Sequence, residues 1–251
     1  MDGLYDMIFK RKSIRRFDDS LHVSQQEMRQ IRQRLELLIP LNKEICVRFQ
    51  IVPKAETTSK RGEYCLLLYS ERAEGFLLNA GYLLEQMDLY LASLDIGVCW
   101  YGMAKAKEPE CGGLPYVIML AFGKSRPQDF RNDFRKCKRK GCEDIWNGDF
   151  DKDVVNLVRF APSSCNMQPW RVKSDENRIA VYRTTEVRSI MPVSKRPFYN
   201  SIDMGVFLCF LELVLRHQGH RFKRSLAAGE TETAAGDVKV AEYTFLGRQE
   251  R

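Results

Sequence analysis

Two Leu-rich segments of equal length constrain this chain more than any other feature. GYLLEQMDLYL (81–91) and GVFLCFLELVL (205–215) both start with Gly, place Leu at their fourth, ninth and eleventh positions, and carry an acid at the eighth. Each predicts a buried helix, and the surrounding order of helix, strand, long helix and strand also recurs. This recurrence indicates an internal duplication. Leu-rich buried helices are common, so chance similarity is the alternative.

The first half has clear helix and strand patterns. Ser24 and Glu27 form a capping box ahead of an apolar stripe, which predicts a helix. Gly97 is expected to close the long helix. The predicted helices are 4–10, 24–38 and 74–96, and the predicted strands are 45–52, 64–70 and 116–123.

The second half repeats this order after a boundary near Ile145. Pro162 must end the helix predicted over 149–160, because a proline restricts the residue before it. Gly219 closes the second long helix, 203–217, and strands are predicted over 178–184 and 238–247. The expected domains are therefore 1–145 and 146–251.

Two apolar stretches approach the length of a membrane span. The stretch 76–96 contains Glu85, Asp88 and Asp95, and the stretch 204–215 is too short and contains Glu212. Both are expected to be buried helices of a soluble protein. The start, MDGLYDMIFKRKS, lacks the pattern of a secretory signal, so we expect a cytoplasmic protein.

The eight cysteines indicate neither a disulfide framework nor a metal site. They form no CxxC pair, and the closest two, Cys137 and Cys142, lie far from the three histidines in sequence. Free thiols in a reducing compartment are the expected state, and no metal is expected.

The net charge of +7 comes partly from two dense basic runs, 10–16 and 135–140. Solvated faces, a phosphate-containing ligand and a nucleic-acid backbone are all compatible with such runs. Aromatic residues do not alternate with the basic ones as a stacking platform for bases would need, so nucleic-acid binding is not expected.

The two halves differ in the loop that follows their first amphipathic helix. In the first half this loop is LIPLNKEI (38–45), and in the second it is APSSCNMQPWR (161–171), which is rich in hydrogen-bonding groups. Conversely, the first half starts with RKSIRRF (11–17), and nothing similar starts the second. This is the pattern expected if each half supplies a different wall of one site.

Both signatures are identifiable. RKSIRRF resembles the Arg-x-Ser-x-Arg-x-Phe start of the nitroreductase family of flavoproteins, and APSSCNMQPWR resembles that family's Ala-Pro-Ser-x-x-Asn-x-Gln-Pro-Trp loop. In ordinary members the loop follows soon after the start of a subunit that dimerises, whereas here about 150 residues separate the two. The chain therefore resembles nitroreductases in which two degenerate halves are fused into an internal pseudo-dimer.

The resemblance implies the fold and the cofactor. It implies an α+β fold with an antiparallel-rich sheet flanked by helices in each half, and one FMN held by both halves. The residues expected to hold the FMN phosphate and ribityl chain are Arg11, Lys12, Ser13 and Arg15, with Lys138 and Arg139 as a late basic pair whose register is uncertain by one or two residues. A solvated basic turn is the alternative for 11–15.

The flavin ring is expected to meet other residues. The resemblance places Pro162, Ser163, Ser164, Asn166 and Gln168 at the ring edge, while Trp170 is expected to pack in the core. It also implies backbone N–H groups near Trp100, Tyr101 and Gly102 beneath the reactive nitrogen N5, although GVCWYGM (97–103) departs from the usual version. An ordinary turn between helix and strand is the alternative there.

The implied activity is NAD(P)H-driven reduction of nitroaromatic or quinone-like acceptors. Hydride passes from NAD(P)H to FMN N5, and a small aromatic acceptor then takes the same open face, which predicts ping-pong kinetics. No Ser-His-Asp or Cys-His set is apparent, so no side chain is assigned as catalytic. A flavin carrier or sensor without turnover is the alternative. Two fused halves are compatible with a monomer, and the sequence leaves further association open.

Overall fold

The computed structural model describes residues 3–232 and 236–248. The chain forms two compact units that divide between Phe134 and Arg135. Each unit mixes helices with an antiparallel-rich sheet, as the α+β expectation states.

Among the described residues, the first unit contains eight α-helices and β-strands, besides short 3-10 turns. They are α1 (Met7–Lys10), α2 (Gln25–Glu36), β1 (Val47–Pro53), β2 (Tyr64–Ser70), α3 (Phe76–Ser93), β3 (Ile96–Trp100), β4 (Glu110–Cys111) and β5 (Leu114–Lys124). The sheet order is β1-β2-β5-β3, with β4 paired to β5, and every pairing is antiparallel. The predicted strands are therefore confirmed to within a few residues.

The capping box at the start of α2 is confirmed. The Ser24 side chain accepts from the backbone N–H of Glu27, and the Glu27 carboxylate accepts from the backbone N–H of Ser24 at 2.8 Å. Two orphan donors of the first turn are thereby satisfied, which is the reason this local pattern predicts a helix so well.

The end of α3 differs from the prediction. The helix ends at Ser93, and the left-handed residue after it is Asp95, with φ 56°, rather than Gly97. Gly97 lies within β3, where an added Cβ would sit 2.4 Å from Ser125 Oγ and 2.8 Å from Ile14 Cδ1. Gly97 is therefore explained by the close approach of neighbouring segments and not by helix termination.

The second unit also contains eight helices and strands. They are α4 (Cys142–Ile145), β6 (Trp146–Asn147), α5 (Lys152–Val158), β7 (Trp170–Ser174), β8 (Arg178–Arg183), α6 (Arg196–His217), β9 (His220–Glu232) and β10 (Val238–Arg248). The sheet order is β6-β7-β8-β10-β9, and all pairings except the parallel β6–β7 pair are antiparallel. Sequence patterns predicted β8 and β10 but missed β7, which is short, and β9, which is highly charged at the sheet edge.

Helix α6 starts seven residues before the predicted position, at Arg196, with Pro197 in its first turn. Gly219 closes it with φ 77°, as predicted. The segment Val193–His217 is long and apolar enough to cross a membrane, yet 83% of its most apolar window is buried inside the protein, and buried core helices pass the same test. Both apolar helices, α3 and α6, are buried as expected.

The two sheets share one arrangement. When the added edge strand β6 is set aside, β1-β2-β5-β3 in the first unit corresponds to β7-β8-β10-β9 in the second, in the same chain order around the long helix. In each unit the last strand occupies an inner position, and the strand directly after the helix lies at the edge.

Candidate functional site

The polar loop 161–171 has an unusual backbone. It leaves α5 after Val158, makes a tight turn at Ser164–Asn166 and enters β7 at Trp170. Cys165, Asn166 and Gln168 have φ of 49°, 55° and 51°. Each such non-glycine residue costs about 1–3 kcal/mol and persists only where surrounding contacts impose the conformation. Strain concentrated in one short loop is typical of a functional segment.

Gln168 holds this loop from within. Its side chain is 3% exposed, and its Nε2 donates to Asn166 O at 3.2 Å. Its backbone N–H donates to Ser163 Oγ at 2.9 Å. Gln168 Oε1 accepts from the backbone N–H of Lys140 at 2.9 Å. The Gln168 amide thus stabilises the loop itself, which differs from the expectation that it lies against a ligand.

The basic run 135–140 binds the same loop. Arg139 NH1 donates to Asn166 Oδ1 at 2.8 Å, and Asn166 Nδ2 donates to Lys138 O at 3.1 Å. Lys140 Nζ donates to Gln168 O at 3.2 Å. The structure therefore brings together two signatures of the second unit that the sequence identified separately.

This cluster is strongly basic. Arg159 NH1 donates to Lys140 O at 3.2 Å, so a further cation joins the run. Burial, followed by the nearby Arg171, lowers the pKa of the Lys140 amine, while Asp144 opposes the shift. The polar loop therefore lies in a positive electrostatic environment that favours an anionic or electron-rich ligand.

Asp203 of α6 fixes the first residue of the turn. Its Oδ1 accepts from the backbone N–H of Ser164 at 2.9 Å and from Ser164 Oγ at 3.0 Å. The side chain is buried, and burial raises the pKa of this carboxyl to about 7 against the lowering effect of the Ser164 bonds. Within the described residues, Asp203 Oδ2 has no hydrogen-bond partner.

Trp170 anchors the other end of the loop, and its predicted core position is confirmed. The ring is fully buried and stacks on Phe207 of α6 with centroids 4.9 Å apart. Trp170 Nε1 and, on the first turns of α6, Asn200 Oδ1 are also buried without a partner among residues 3–232 and 236–248.

In the first unit, Arg11 is not available as a phosphate ligand. Its side chain is 2% exposed, and its NH2 donates to Asp88 Oδ2 at 2.8 Å. The Glu85 carboxylate lies 4.0 Å from its Nε, and Trp100 Nε1 also donates to Asp88 Oδ2, at 2.9 Å. A buried cation must be compensated, and α3 supplies the two acids that do so. Arg11 therefore fastens its segment to α3.

The rest of the basic signature lies along β3. Ser13 forms a parallel bridge with Val98, and Lys12 is exposed with its Nζ donating to Asp129 O at 2.9 Å. Arg15 is exposed, and no carboxylate pairs with it in the part of the chain that the structure describes.

Arg61 contacts the backbone of Arg15, and no motif in the sequence predicted a role for Arg61. Its NH1 donates to Arg15 O at 3.0 Å, and its guanidinium lies 5.5 Å from the centroid of the Tyr101 ring. A guanidinium group over an aromatic face, next to the backbone of a second arginine, suits a phosphate-containing aromatic ligand.

The stretch 100–102 leaves the sheet at Trp100 and enters a turn, in which the backbone N–H of Ala104 donates to Tyr101 O at 3.3 Å, as the alternative of an ordinary turn expected. Trp100 is the last residue of β3 and pairs with Leu120, and the backbone N–H of Tyr101 donates to Met119 O at 3.1 Å. The Tyr101 N–H is thus paired with the neighbouring strand, and the expectation that N–H groups of 100–102 lie beneath a flavin nitrogen stays a prediction.

Comparison with known proteins supplies the family. The family model described as "Putative TM nitroreductase" matches residues 3–215. The chain belongs to this nitroreductase family. No match was found among functionally curated proteins.

A solved structure agrees with this assignment. The crystal structure titled as a putative nitroreductase from Thermotoga maritima has a TM-score of 0.62 and 18% sequence identity, over 97% of this chain and 93% of that one. At this identity the likeness shows the fold. Family membership makes this nitroreductase an oxidoreductase by class, and the family generally uses a flavin.

Sequence reasoning did not single out three residues that hold the candidate segments: Arg61 in the first unit, and Lys140 and Asp203 in the second. Arg61 and Lys140 belong to no recognisable motif, although Lys140 lies within the basic run. The acid at Asp203 lies two positions before the repeated segment 205–215. A buried acid in an otherwise apolar helix is a usable signal, because ionisable groups are rarely buried without a role. In the described residues, no group of three or more His, Cys, Asp or Glu side chains could hold a metal ion.

Proposed function

We propose that this nitroreductase is an FMN-dependent oxidoreductase that uses NAD(P)H to reduce nitroaromatic or quinone-like acceptors. The observation that carries the proposal is the strained loop 163–168, which a basic cluster and a buried carboxyl hold in position in a chain of this family. When bound, FMN would supply the redox chemistry by accepting a hydride and passing electrons to the acceptor. The side chains of the protein would bind the FMN, orient it and polarise its ring.

The loop fits the edge of a flavin ring. Ser163 and Ser164 are half-buried, and Ser163 Oγ accepts a hydrogen bond from Gln168, so its own proton is left to donate. Three buried polar atoms on the loop or on α6 have no partner among the described residues: Asp203 Oδ2, Asn200 Oδ1 and Trp170 Nε1. Leaving a buried polar group unpaired costs about 1–3 kcal/mol, so a ligand with several polar edge atoms would relieve this cost.

Arg15 and Arg61 fit the phosphate better than Arg11 does. Arg15 is exposed and Arg61 lies over the Tyr101 ring, whereas Arg11 is paired with Asp88 within the protein. Guanidinium groups bind phosphate oxygens in pairs, and the Ser13 hydroxyl and the Lys12 amine add donors on the same segment. We therefore assign the phosphate to Arg15 with Arg61, and we assign to Arg11 the positioning of that segment.

We also propose that the chain consists of two degenerate halves derived by duplication, here described as the units before and after residue 135. The matching sheet orders support this. The long helices support it as well. Aligning their repeated segments pairs Asn79 with Asp203, and it pairs Asp95 with Gly219. Asp95 and Gly219 both have positive φ. A protein with two such halves would act as a monomer in the cytoplasm on small aromatic acceptors, without nucleic acid or a membrane as partner.

A flavin carrier or sensor without turnover is the second candidate. It is favoured by the Tyr101 N–H, which donates to Met119 O and is not available to polarise a reactive flavin nitrogen. Arg11 also favours this candidate, because its pairing with Asp88 removes one of the expected phosphate contacts.

One experiment separates these functions. The purified protein is mixed with FMN, its visible spectrum is recorded, and NADH or NADPH is added without oxygen. Bound FMN that bleaches and then reoxidises with a nitroaromatic or quinone supports the enzyme, and parallel initial-rate plots support ping-pong exchange. Bound FMN that neither nucleotide bleaches supports the carrier. Absence of FMN binding would overturn both.

A further inference from the structure

Asp203 is buried, and the proposed binding contacts do not explain why residue 203 is an acid and not a neutral hydrogen-bonding residue. Its Oδ1 accepts both bonds from Ser164, its Oδ2 has no partner among the described residues, and no cation pairs with it there. A buried carboxyl is costly unless it is compensated. Its position behind the turn of the strained loop therefore needs a reason.

The first unit shows that holding such a loop does not require an acid. There Asn79 of α3, which aligns with Asp203, accepts through Oδ1 from the backbone N–H of Leu41 at 2.8 Å and of Asn42 at 3.3 Å. An amide oxygen performs this anchoring without titrating. The carboxyl at 203 thus has a capacity that anchoring does not use, which is to gain and lose a proton.

We propose that Asp203 is a positioning residue whose protonation state turns the Ser164 hydroxyl inward or outward, and so controls whether this loop can donate a hydrogen bond to its ligand. With Asp203 ionised, Ser164 Oγ–H donates to Oδ1, and the hydroxyl can only accept from a ligand. When Asp203 takes a proton from water, its own O–H donates to Ser164 Oγ. The Ser164 proton is then free to turn outward. The Ser164 N–H bond persists in both states, so the loop stays anchored.

The surroundings suit a titration near neutrality. Burial is the main cause that raises the pKa of Asp203 to about 7, and the Ser164 bonds oppose it. On the loop, Ser164 binds Asp203, and Cys165 is the next residue. Tyr199 lies one turn earlier on α6, where burial and then Cys165 raise the pKa of its phenol.

Among the described residues, the elements packed against α6 supply no counter-charge to Asp203. Lys195, in the short turn before α6, is exposed. On α5, Lys152 and Asp153 are exposed. On β9, Arg224 pairs with Glu212, and His220 lies 3.4 Å from Asp151. Arg183 of β8 is buried, and it is not among the causes of the Asp203 shift.

This proposal rests on the proposed flavin site for its ligand, and riboflavin is the probe, because it lacks the phosphate of FMN, which itself titrates near pH 6. We expect the wild-type affinity for riboflavin to fall about fivefold between pH 6 and pH 8.5, the value of one neutral hydrogen bond. Asp203→Asn keeps the anchoring oxygen but cannot titrate, so its affinity should not change with pH. Ser164→Ala removes the switched hydroxyl and should also show no pH dependence.

The variants separate this mechanism from a pH dependence that does not come from Asp203, and from one in which Asp203 acts by its charge alone. Ser201→Ala, a hydroxyl deletion elsewhere on α6, should keep the wild-type profile. A pH dependence that persists in Asp203→Asn would overturn the proposal. A dependence that persists in Ser164→Ala would show that Asp203 acts by charge alone, which also overturns the switch. Circular dichroism at both pH values checks that each variant is folded.

A readout without FMN distinguishes this proposal from the proposed function. The pKa of Asp203 is measured in the ligand-free protein by carbon-13 NMR of labelled Asp carboxyls, assigned with Asp203→Asn. It should lie near neutrality in the wild type and rise in Ser164→Ala, which loses a bond to the ionised form. If FMN fails to bind while this shift is seen, the proposed function fails and the switch stands. An Asp203 that does not titrate between pH 5 and pH 9 overturns the switch alone.

Discussion

The loops 38–45 and 161–171 follow corresponding helices in the two units, yet they are held in different ways. The first is fixed by neutral amides of α3: Asn79 accepts from Leu41, and Gln86 binds both the N–H and the carbonyl of Ile39, at 3.1 and 2.8 Å. No residue of 38–45 has a positive φ. The second is fixed by a buried acid and contains three left-handed residues. One arrangement of strands and helices thus supports a relaxed connection in one unit and a strained, titratable one in the other.

The buried acids of the two long helices differ in a similar way. In α3, Asp88 is compensated by Arg11 and Trp100. In α6, Glu212 is compensated by Arg224 and Tyr243, but Asp203 has only Ser164. Compensated acids stabilise structure, whereas the poorly compensated one has a pKa near the working pH.

The largest effect is expected from breaking the compensated pair of the first unit. Arg11→Met should lower the free energy of unfolding by about 3–5 kcal/mol, because it leaves buried carboxylates without their cation. Urea denaturation at pH 7 measures this. The matched control is Arg15→Met, an exposed change expected to stay within about 0.5 kcal/mol. Equal effects of the two changes would show that Arg11 is not the structural arginine.

The next effect concerns the uncompensated acid. The Asp203 pKa is raised from 3.8 in the unfolded chain to about 7 in the folded protein, so its contribution to stability is full below about pH 4 and is lost as pH rises through 7. Asp203→Asn should therefore be more stable than the wild type at pH 8.5, by about 1–4 kcal/mol, with the difference shrinking steadily below pH 7 and becoming small near pH 4.

Urea denaturation at both pH values tests this, and Asn79→Asp is the converse variant. It should introduce the same loss of stability with rising pH into the first unit. An Asp203→Asn variant with the wild-type dependence on pH would contradict the assignment of this titration.

A smaller effect is expected on ligand affinity. Arg61→Ala should weaken FMN binding about tenfold, equivalent to about 1.4 kcal/mol, since it removes one charged contact to phosphate. Its free energy of unfolding should hardly change, because the group is partly exposed. Riboflavin, which lacks the phosphate, is the matched ligand and should bind both proteins equally. A parallel loss of riboflavin binding would place Arg61 at the ring instead.

The smallest effect tests the strain itself. Cys165 is exposed with φ 49°, so Cys165→Gly should stabilise the protein by about 0.5–1 kcal/mol, because glycine adopts this conformation freely. Asn42→Gly, in the relaxed loop, should instead destabilise by a similar amount. Thermal unfolding of the two variants measures the difference, and destabilisation by both would argue that the second loop is not strained.

Local patterns predicted much of this molecule. The capping box at Ser24, the strand 64–70 and the glycine closing α6 depend on residues a few positions apart, and the structure has all three. The loop 161–171 and the basic run 135–140 were likewise identifiable as unusual segments, because each places distinctive side chains close together in sequence, and hydrogen bonds join the two. Hydrogen bonds within a turn and periodic apolar faces are short-range, so the sequence displays them directly.

What the sequence could not decide depends on distant partners. Arg11 was expected to bind phosphate, but Asp88, 77 residues away, takes its guanidinium into the core. The role of Asp203 depends on Ser164, 39 residues earlier, and on burial that only packing creates. The sequence by itself therefore determined the elements with strong local patterns, such as α2, β2 and α6, but not the short or edge strands β3, β7 and β9. The tertiary structure decided which charges are neutralised inside the protein and which remain able to act, because desolvation and pairing depend on spatial neighbours rather than on position in the chain.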